Sequence, residues 1–334
     1  MFTDTLKNLV DRRDLDEEQA NAAMDAIMSG KCTDAQIGAF LAAMAAKGET
    51  FAELAGAARA MRKKAARIQA TSGVVVDTCG TGGDGAHTFN ISTTAAFIVA
   101  GCGVTVAKHG NRSVSSKCGS ADVLKALGVR LDVAPEVVEE AVNEIGIGFL
   151  FAPTFHGAMR HAAGPRKELG IRSIFNMLGP LTNPAGANCQ VLGVYAPQFA
   201  EALRLLGAKR AFVVHGHDGL DEITVCGKTR VSELSGGMIR TYDLDPETLL
   251  GRTYDSPELS GGGPEENAGI TREVLSGKPG ARADVCVINA AAALVAAGKA
   301  EDLADGVKLA RESIAGGAAM DKLEKLASFT WENA

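Results

Sequence analysis

The feature that most constrains the fold is an ordered series of short β-branched runs, glycine-containing loops and alanine-rich stretches that begins at Val74. β-branched runs favour strands, and alanine-rich stretches with apolar residues at helical spacing favour helices. Strands that alternate with helices build a sheet whose faces the helices cover. In chain order, the pattern predicts a strand at 74–76, a loop at 80–85, a helix at 92–100, a strand at 104–106, a loop at 109–119 and a helix at 120–127.

Later segments extend this sheet and close the chain with helices. Some of the later strands follow one another closely, so the sheet is not purely parallel. We therefore predict an α/β fold with a central mixed, largely parallel sheet that is flanked by helices. The further predicted strands are 190–195, 211–214, 230–234 and 238–242, and the closing helices are 285–297, 303–315 and 323–327.

The first 70 residues have a different pattern, which is helical throughout. Thr33 with Gln36, and Thr50 with Glu53, fit the capping box that satisfies free backbone amides at a helix start. We predict helices at 16–29, 33–46 and 50–66. This pattern predicts a small helical domain at 1–70 and a larger α/β domain at 71–334.

Composition excludes several classes of protein. The chain has 34 basic and 40 acidic residues, and its net charge of −6 is opposite in sign to the basic excess of a nucleic-acid-binding protein. No apolar run reaches the roughly 20 residues that span a bilayer, and residues 1–13 lack the apolar core of a signal peptide. The seven scattered cysteines form no CxxC pair, which argues against a disulfide framework or a zinc site. We expect a cytoplasmic protein with no nucleic-acid or membrane partner.

The loop after the first predicted strand is suited to bind an anion. Glycines at 80, 82 and 83 allow backbone amides to approach a ligand closely, and the helix that follows directs its free amides to the same place. The hydroxyls of Thr88, Ser92 and Thr93 add donors. The loop lacks the lysine of a Walker motif and does not match the dinucleotide fingerprint. It predicts a phosphate or pyrophosphate site, and the alternative is a tight turn with ordinary helix capping.

A second loop carries charged and hydroxyl groups after the second predicted strand. Lys108, Arg112 and three serines precede another helix start near Gly119. Fixed charges combined with directed donors recognise phosphate groups. The two loops could therefore hold the two ends of one polyanionic substrate; the alternative is a solvated basic turn.

Two weaker patterns complete the set. Asp221 and Glu222 are adjacent carboxylates in a glycine-containing loop, which suits Mg²⁺, although an acidic turn has the same composition. Arg166 lies near aromatic and small residues and has a planar fork that can pair with the carboxylate of a flat molecule. By its chemistry alone this last signal is weak.

Together these segments resemble the anthranilate phosphoribosyltransferase family over nearly the whole chain. The matching segments are GTGGDGAHTFNIST at 80–93, KHGNRSVSSKCGSAD at 108–122, RKELGIRSIFNMLGPLTNP at 166–184 and DGLDE at 218–222. The resemblance implies a small helical domain, joined by part of 164–186, a larger α/β domain, and an active site in the cleft between them. It also implies a homodimer that uses two Mg²⁺ ions per subunit and transfers the phosphoribosyl group of phosphoribosyl pyrophosphate to anthranilate.

The resemblance also implies roles for individual residues. Metal would be held by Ser92, Asp221 and Glu222. Anthranilate would contact Gly80, Asn111, His156 and Arg166, and His109 would also line its route. Phosphoribosyl pyrophosphate would contact Gly80, Gly83, Asp84, Thr88, Asn90, Ile91, Ser92, Thr93, Lys108, His109, Gly110, Asn111, Arg112, Ser113, Val114, Ser115, Ser116 and Ser120.

Two other functions remain open on the sequence. One is a pyrimidine nucleoside phosphorylase-like enzyme, whose chains are longer and whose glycine loop reads differently. The other is a non-catalytic, nucleic-acid-binding relative of the fold, which would lack the paired carboxylates and carry a basic surface. Gly157 replaces a usual proline, and Ala163 and Gly164 also depart from the family pattern, which affects the shape of the acceptor channel.

Overall fold

A single mixed sheet organises the computed structural model, which describes residues 2–113, 117–194 and 199–333. The strand order is β3-β2-β1-β4-β5-β6-β7. The first five strands run parallel, and β6 and β7 are antiparallel to their neighbours. The predicted mixed, largely parallel sheet is therefore confirmed. The strands are β1 (Val76–Gly80), β2 (Val106–Gly110), β3 (Ile147–Phe151), β4 (Cys189–Gly193), β5 (Arg210–Gly216), β6 (Thr229–Ser235) and β7 (Met238–Leu244).

Helices precede the sheet, connect its strands and follow it. Short 3₁₀ turns lie at Gly157–Met159, Gly179–Leu181 and Ser256–Leu259. The helices are α1 (Phe2–Val10), α2 (Glu17–Met28), α3 (Asp34–Lys47), α4 (Phe51–Lys64), α5 (Ile91–Gly101), α6 (Ser120–Ala126), α7 (Pro135–Glu144), α8 (Ala152–Phe155), α9 (Arg160–Leu169), α10 (Ile174–Leu178), α11 (Phe199–Leu205), α12 (Glu247–Leu250), α13 (Pro264–Leu275), α14 (Ala281–Ala296), α15 (Leu303–Ala315) and α16 (Ala318–Glu332). No helix in the described ranges is both long and apolar enough to cross a membrane.

The sheet is buried on both faces, with a hydrophobic core on each side. Because successive side chains of a strand point to opposite sides, one strand contributes to both cores. In β4, Val191 faces a core built with α5, α13, α14 and α15, whereas Leu192 faces a second core built with α2, α3 and α4. Helix α14 is apolar around nearly its whole circumference, as expected for a helix enclosed by protein.

The predicted N-terminal helices form, and their starts are capped as predicted. Thr33 accepts a hydrogen bond from the Gln36 amide, Thr50 accepts one from Glu53, and both capping boxes are complete. Helices α9 and α10 pack on α2, α3 and α4, and we call these five helices the helical layer. From this packing we propose the division into residues 1–70, with part of 164–186, and residues 71–334.

The strands of the site lie further along the chain than the β-branched runs suggested. β1 runs through Asp77 and Thr78 to Gly80, and β2 runs through Lys108 and His109. The prediction that a loop begins at His109 was therefore wrong. Polar residues continue these buried strands because each finds a hydrogen-bond partner; for example, the Thr78 hydroxyl donates to the Ser92 carbonyl at 3.0 Å.

Strand β3 and helices α1, α7 and α13 were not predicted. Gly148 interrupts the apolar run of β3, and the structure explains why glycine stands there. A Cβ at this position would lie 2.5 Å from Val142 and 3.1 Å from the Val138 carbonyl, so α7 packs directly against the strand.

A buried ionic network joins the turns of the helical layer. The fully buried Glu53 carboxylate accepts hydrogen bonds from the amides of Leu15 and Thr50, each at 2.8 Å. It also pairs with the Lys47 ammonium at 2.9 Å, and Lys47 donates to Asp14 at 2.7 Å. One carboxylate thus links the start of α4 to the end of α3 and to the segment before α2.

Glu53→Gln should lower the free energy of unfolding by about 3 kcal/mol, because it leaves the buried Lys47 charge short of a partner. Urea unfolding of the variant and the parent would measure the difference. Glu273→Gln is the control, since it breaks the exposed pair with Lys278 and should cost less than about 1 kcal/mol. Equal losses in the two variants would contradict the role given to Glu53.

Candidate active site

The candidate site lies where the order of the parallel strands reverses. β1 and β4 are neighbours, yet the chain leaves β1 toward β2 on one side and continues from β4 to β5 on the other. Their last residues, Gly80 and Gly193, lie directly opposite each other. Open α/β sheets bind ligands in the crevice at the carboxyl ends of strands at such a reversal.

Asp221 lies across the ends of these two strands, in space that only glycine leaves open. A Cβ on Gly80 would lie 2.3 Å from an Asp221 carboxylate oxygen, and a Cβ on Gly193 would lie 1.5 Å from the Asp221 carbonyl oxygen. The Asp221 carboxylate accepts a hydrogen bond from the Gly82 amide at 2.8 Å, and the Asp221 amide donates to Asp84 at 3.4 Å. Asp221 therefore joins the β5–β6 connection to the loop between β1 and α5, which we call the glycine loop.

Glu222 is held in the same place from two sides. Its carboxylate accepts the Ser92 amide, at the start of α5, at 3.1 Å. The backbone of the next residue, Ile223, forms two hydrogen bonds with the buried side-chain amide of Asn289 in α14. The Ile223 amide donates to Asn289 Oδ1 at 3.0 Å, and Asn289 Nδ2 donates to the Ile223 carbonyl at 2.8 Å. The paired carboxylates predicted from DGLDE are thus placed at the start of α5 and at the end of β1.

The crowding of these carboxylates disfavours their charged forms. Burial raises the pKa of Asp221 well above its usual value, and the neighbouring charges of Glu222 and Asp84 raise that pKa further. Burial raises the pKa of Glu222 to about 7, even though Lys108 acts in the opposite direction. Clustered carboxylate oxygens of this kind match the ligand preference of a hard divalent cation.

These oxygens do not enclose a metal ion by themselves. In the part of the chain that the structure describes, no three histidine, cysteine or carboxylate side chains are grouped closely enough to hold one. Mg²⁺ usually binds one or two carboxylates and completes its shell with water and substrate phosphate oxygens. The donor set of Asp221, Glu222 and the Ser92 hydroxyl fits that pattern.

Lys108 supplies a buried positive charge beside the carboxylates. Its ammonium donates to the Thr78 carbonyl and, at 3.3 Å, to the Ser92 hydroxyl, and the residue is only 4% exposed. This positive charge acts to lower the pKa of Glu222 and that of the fully buried Asp77 of β1, against the effect of burial. Predicted donor-site residues from three separate segments therefore meet at this point.

The glycine loop itself is exposed and has an unusual backbone. Gly82, Gly83, Gly85 and His87 all have positive φ, which favours glycine at the first three positions. The loop is anchored at its far end, where Thr88 forms a bridge with Ser260 and the His87 carbonyl accepts the Gly261 amide. The Gly82 amide already bonds to Asp221 and the Ala86 amide to Asp84, so the part of the loop that faces an anion is the exposed backbone between these two residues.

The loop leads into the amino end of α5. Asn90 precedes the helix and bonds through its side chain to the Cys118 carbonyl at 3.2 Å and to Asn267 at 3.0 Å. The side chains of Ile91 and Thr93 are buried, each 1% exposed. These side chains therefore face the core, and the Ile91 amide already donates to the Phe89 carbonyl at 2.9 Å.

The second predicted loop lies between β2 and α6, and hydrogen bonds join its described residues to one another. The Asn111 carbonyl accepts hydrogen bonds from the Ser120 hydroxyl and the Ala121 amide, each at 3.2 Å. Asp122 accepts the amides of Ser113 and Gly119. Gly110 ends β2, and Arg112 lies over the Phe151 ring at 5.9 Å. Val114, Ser115 and Ser116 lie outside the described residues.

His109 and His156 form a buried pair on the other side of β2. The His109 Nδ1 lies 3.0 Å from the Gly179 carbonyl oxygen, to which only an N–H can donate, and its Nε2 lies 3.2 Å from Nε2 of His156. This arrangement makes His156 the donor within the pair. Burial lowers the pKa of His109 to about 3 and that of His156 to about 4, so both rings are neutral at pH 7.

Arg166 stands apart from the other predicted residues. It lies on α9, half-buried, with its guanidinium 5.8 Å from the centroid of the Phe175 ring. No carboxylate or carbonyl of the described residues accepts a hydrogen bond from its side chain. Burial lowers the pKa of Arg166. Within the described ranges, Arg166 is thus a partly desolvated cation that has no anionic partner and no direct bond to Asn111.

Sequence reasoning missed the residues that support the site. Asn183 donates to the Asp77 carboxylate at 2.8 Å and to the Ala107 carbonyl at 2.7 Å, while Asp77 accepts the His109 amide at 3.2 Å. Asn289 was also missed. Its only signal was a polar residue inside a long apolar helix, which indicates a buried group with a specific partner.

Comparison with known proteins agrees with this geometry. The model described as the glycosyl transferase family a/b domain matches residues 72–320, and the model described as the helical bundle domain of that family matches residues 3–65. These matches define the class of the protein as a glycosyl transferase with a helical bundle and an α/β domain. The predicted fold class is confirmed.

Individual relatives narrow the class. Anthranilate phosphoribosyltransferase of Syntrophobacter fumaroxidans is 70% identical over 337 residues, with both chains fully covered. The solved enzyme of Thermus thermophilus has a TM-score of 0.93 at 46% identity, covering 98% of this chain and 99% of its own. The Saccharomyces cerevisiae enzyme, solved with PRPP (phosphoribosyl pyrophosphate) and Mg, has a TM-score of 0.90 at 31% identity, covering 99% and 98%. The chain belongs to the anthranilate phosphoribosyltransferase family, as the resemblance predicted.

The buried histidine pair should make the fold sensitive to acid. An unfolded histidine has a pKa of about 6.5, so below that pH the unfolded chain binds protons that the folded pair rejects, and stability falls as the pH falls. For His156 the loss is about 2 kcal/mol at pH 5. Between pH 7 and pH 5, the free energy of unfolding of His156→Gln should therefore fall by about 2 kcal/mol less than that of the parent.

Urea unfolding at the two pH values would measure this difference. His87→Gln is the control, because that ring is exposed and its removal should leave the decline unchanged. A decline in His156→Gln as steep as that of the parent would show that the pair is not the source of the acid sensitivity.

Proposed function

We propose that the chain transfers the 5-phosphoribosyl group of phosphoribosyl pyrophosphate to anthranilate, giving N-(5-phosphoribosyl)anthranilate and pyrophosphate in tryptophan biosynthesis. The observation that carries the proposal is the arrangement at the reversal of strand order, where Ser92 bonds to both Glu222 and Lys108 and the adjoining Asp221 bonds to the glycine loop. Such a cluster suits a metal-bound pyrophosphate better than a neutral ligand, because it combines oxygen ligands for a cation with a fixed positive charge.

For the donor substrate, we propose contacts from both loops. The glycine loop offers its exposed backbone between Gly82 and Ala86, the amino end of α5 contributes the positive end of its dipole, and Lys108 offers charge. The remaining predicted contacts lie within the segments 84–93 and 109–120 of the sequence and stay predictions. Preorganised donors of this kind stabilise charge as it develops on a leaving group.

For the metal, we propose that Asp221, Glu222 and Ser92 hold Mg²⁺. When bound, the metal would neutralise charge on the departing pyrophosphate. The S. cerevisiae relative was solved with PRPP and Mg, which supports magnesium use by this chain. Two ions per subunit, a homodimer and a cytoplasmic location stay predictions of the family resemblance.

For the acceptor, we propose that Arg166 pairs with the anthranilate carboxylate. Its guanidinium is partly desolvated and has a planar fork that matches a carboxylate. A second S. cerevisiae structure contains 4-fluoroanthranilate, which supports an aromatic acid as a ligand of this chain. We further propose that Asn111, Gly80, His109 and His156 line the acceptor route.

The chemistry needs no enzyme nucleophile. We propose a dissociative path in which the residues of the two loops hold the pyrophosphate while the acceptor amine is positioned against ribose C1. The amine of anthranilate is already unprotonated near neutral pH. The His109–His156 pair is neutral and internally bonded, and we therefore give it an orienting role and not that of a general base.

The relatives do not favour the two alternative functions. The reported relatives are anthranilate phosphoribosyltransferases that match this chain along nearly its whole length, and none is a nucleoside phosphorylase or a nucleic-acid-binding protein.

The function is tested by mixing the protein with anthranilate, phosphoribosyl pyrophosphate and Mg²⁺ and following the loss of anthranilate fluorescence. Arg166→Ala should raise the KM for anthranilate by about 100-fold, because it removes a charged, bidentate pair that contributes about 3 kcal/mol to binding. It should leave the KM for phosphoribosyl pyrophosphate unchanged.

Lys167→Ala is the matched control, because Lys167 is the exposed neighbour of Arg166 on the same helix. It should behave as the parent protein does. A flat fluorescence signal from folded parent protein would overturn the function, and equal losses for both substrates in Arg166→Ala would move the acceptor site elsewhere.

A further inference from the structure

Arg172 reaches from the helical layer to the glycine loop. It lies between α9 and α10, and its Nη1 donates to the Gly83 carbonyl at 3.4 Å. The guanidinium lies close against the glycine: a Cβ on Gly83 would be 3.1 Å from Nη1 and 3.6 Å from Cζ. Glycine is therefore favoured at position 83 for two reasons: it leaves room for the Arg172 guanidinium, and it adopts a φ of +76° without strain. This contact was not predicted from the sequence.

The glycine loop needs such an anchor because its backbone is intrinsically free. Gly82, Gly83 and Gly85 restrict φ and ψ less than any other residue would, so an unsupported loop would lose entropy on binding a ligand. Asp221 anchors the loop on both sides of Gly83, but its carboxylate is also a proposed metal ligand. The Arg172 contact with the loop is made to the Gly83 carbonyl, a group that is not a proposed metal ligand.

Arg172 is itself set on a firm support. The next residue, Ser173, is buried and donates its amide to the Asn176 side chain at 3.1 Å, which starts α10. Ile174 and Phe175 are buried in the core of the helical layer. Since Phe175 also lies beneath the Arg166 guanidinium, one short helix supports both arginines.

We propose that Arg172 is a positioning residue for the donor substrate: it holds Gly83 so that the glycine loop keeps the conformation that binds phosphoribosyl pyrophosphate. The inference rests on the proposed function. It assigns different substrates to two arginines six positions apart, because Arg166 serves the acceptor and Arg172 acts through the loop on the donor.

Steady-state kinetics of Arg172→Ala test the proposal. The KM for phosphoribosyl pyrophosphate should rise about tenfold, as expected for one charged hydrogen bond, with the KM for anthranilate and kcat nearly unchanged. Arg172→Lys keeps a positive donor on a flexible stem and should recover part of the loss. Lys167→Ala, an exposed cation on the same segment, should match the parent.

Calorimetric titration of each variant with phosphoribosyl pyrophosphate and Mg²⁺, without anthranilate, reads the donor site apart from turnover. Weakened binding in Arg172→Ala with partial recovery in Arg172→Lys supports the proposal. Unchanged binding, or an equal rise of both KM values, overturns it. Failure of the parent protein to turn over anthranilate would instead contradict the proposed function, so the two failures are distinguishable.

Discussion

The contact on which the rest of the site depends is the placement of Asp221 over the ends of β1 and β4. It is possible only because Gly80 and Gly193 lie opposite each other and neither carries a Cβ. From this position Asp221 bonds to the glycine loop, and the adjoining Glu222 reaches the start of α5. A sheet reversal, two glycines and one dipeptide thereby bring together the groups that suit a metal-bound pyrophosphate.

The second organising element is the segment from α9 to the Gly179–Leu181 turn. Its helices α9 and α10 belong to the helical layer, and the segment also contacts residues of the site. Arg62 of α4 donates to the Leu181 carbonyl at 2.7 Å, and the Gly179 carbonyl accepts from His109. The same segment carries Arg166 and Arg172. One continuous stretch of chain therefore carries or supports the residues that we propose for the acceptor and for the donor.

Local patterns predicted the residues for which we propose binding roles, but not those that support them. Glycines after a strand and the adjacent acids at 221–222 carry their signal within a few positions, so short-range physics is enough to find them. Asn183 and Asp77 are partners across more than one hundred residues, and Asn289 meets Ile223 across 66. Such pairs depend on which strands become neighbours, and this topology cannot be read from local pattern alone. Strand β3 was missed for a related reason, since its Gly148 is explained only by the close approach of α7.

The most direct measurement is the binding of phosphoribosyl pyrophosphate with Mg²⁺ to Gly193→Ala. The φ of Gly193 lies outside the left-handed region, so the backbone conformation itself accepts alanine. The added Cβ would, however, lie 1.5 Å from the Asp221 carbonyl oxygen and must displace Asp221. The account predicts a folded protein whose affinity falls at least about tenfold, a loss of about 1.4 kcal/mol. Gly269→Ala, with open space around its Cβ, should bind as the parent does. Parent-like affinity in a folded Gly193→Ala would contradict the account.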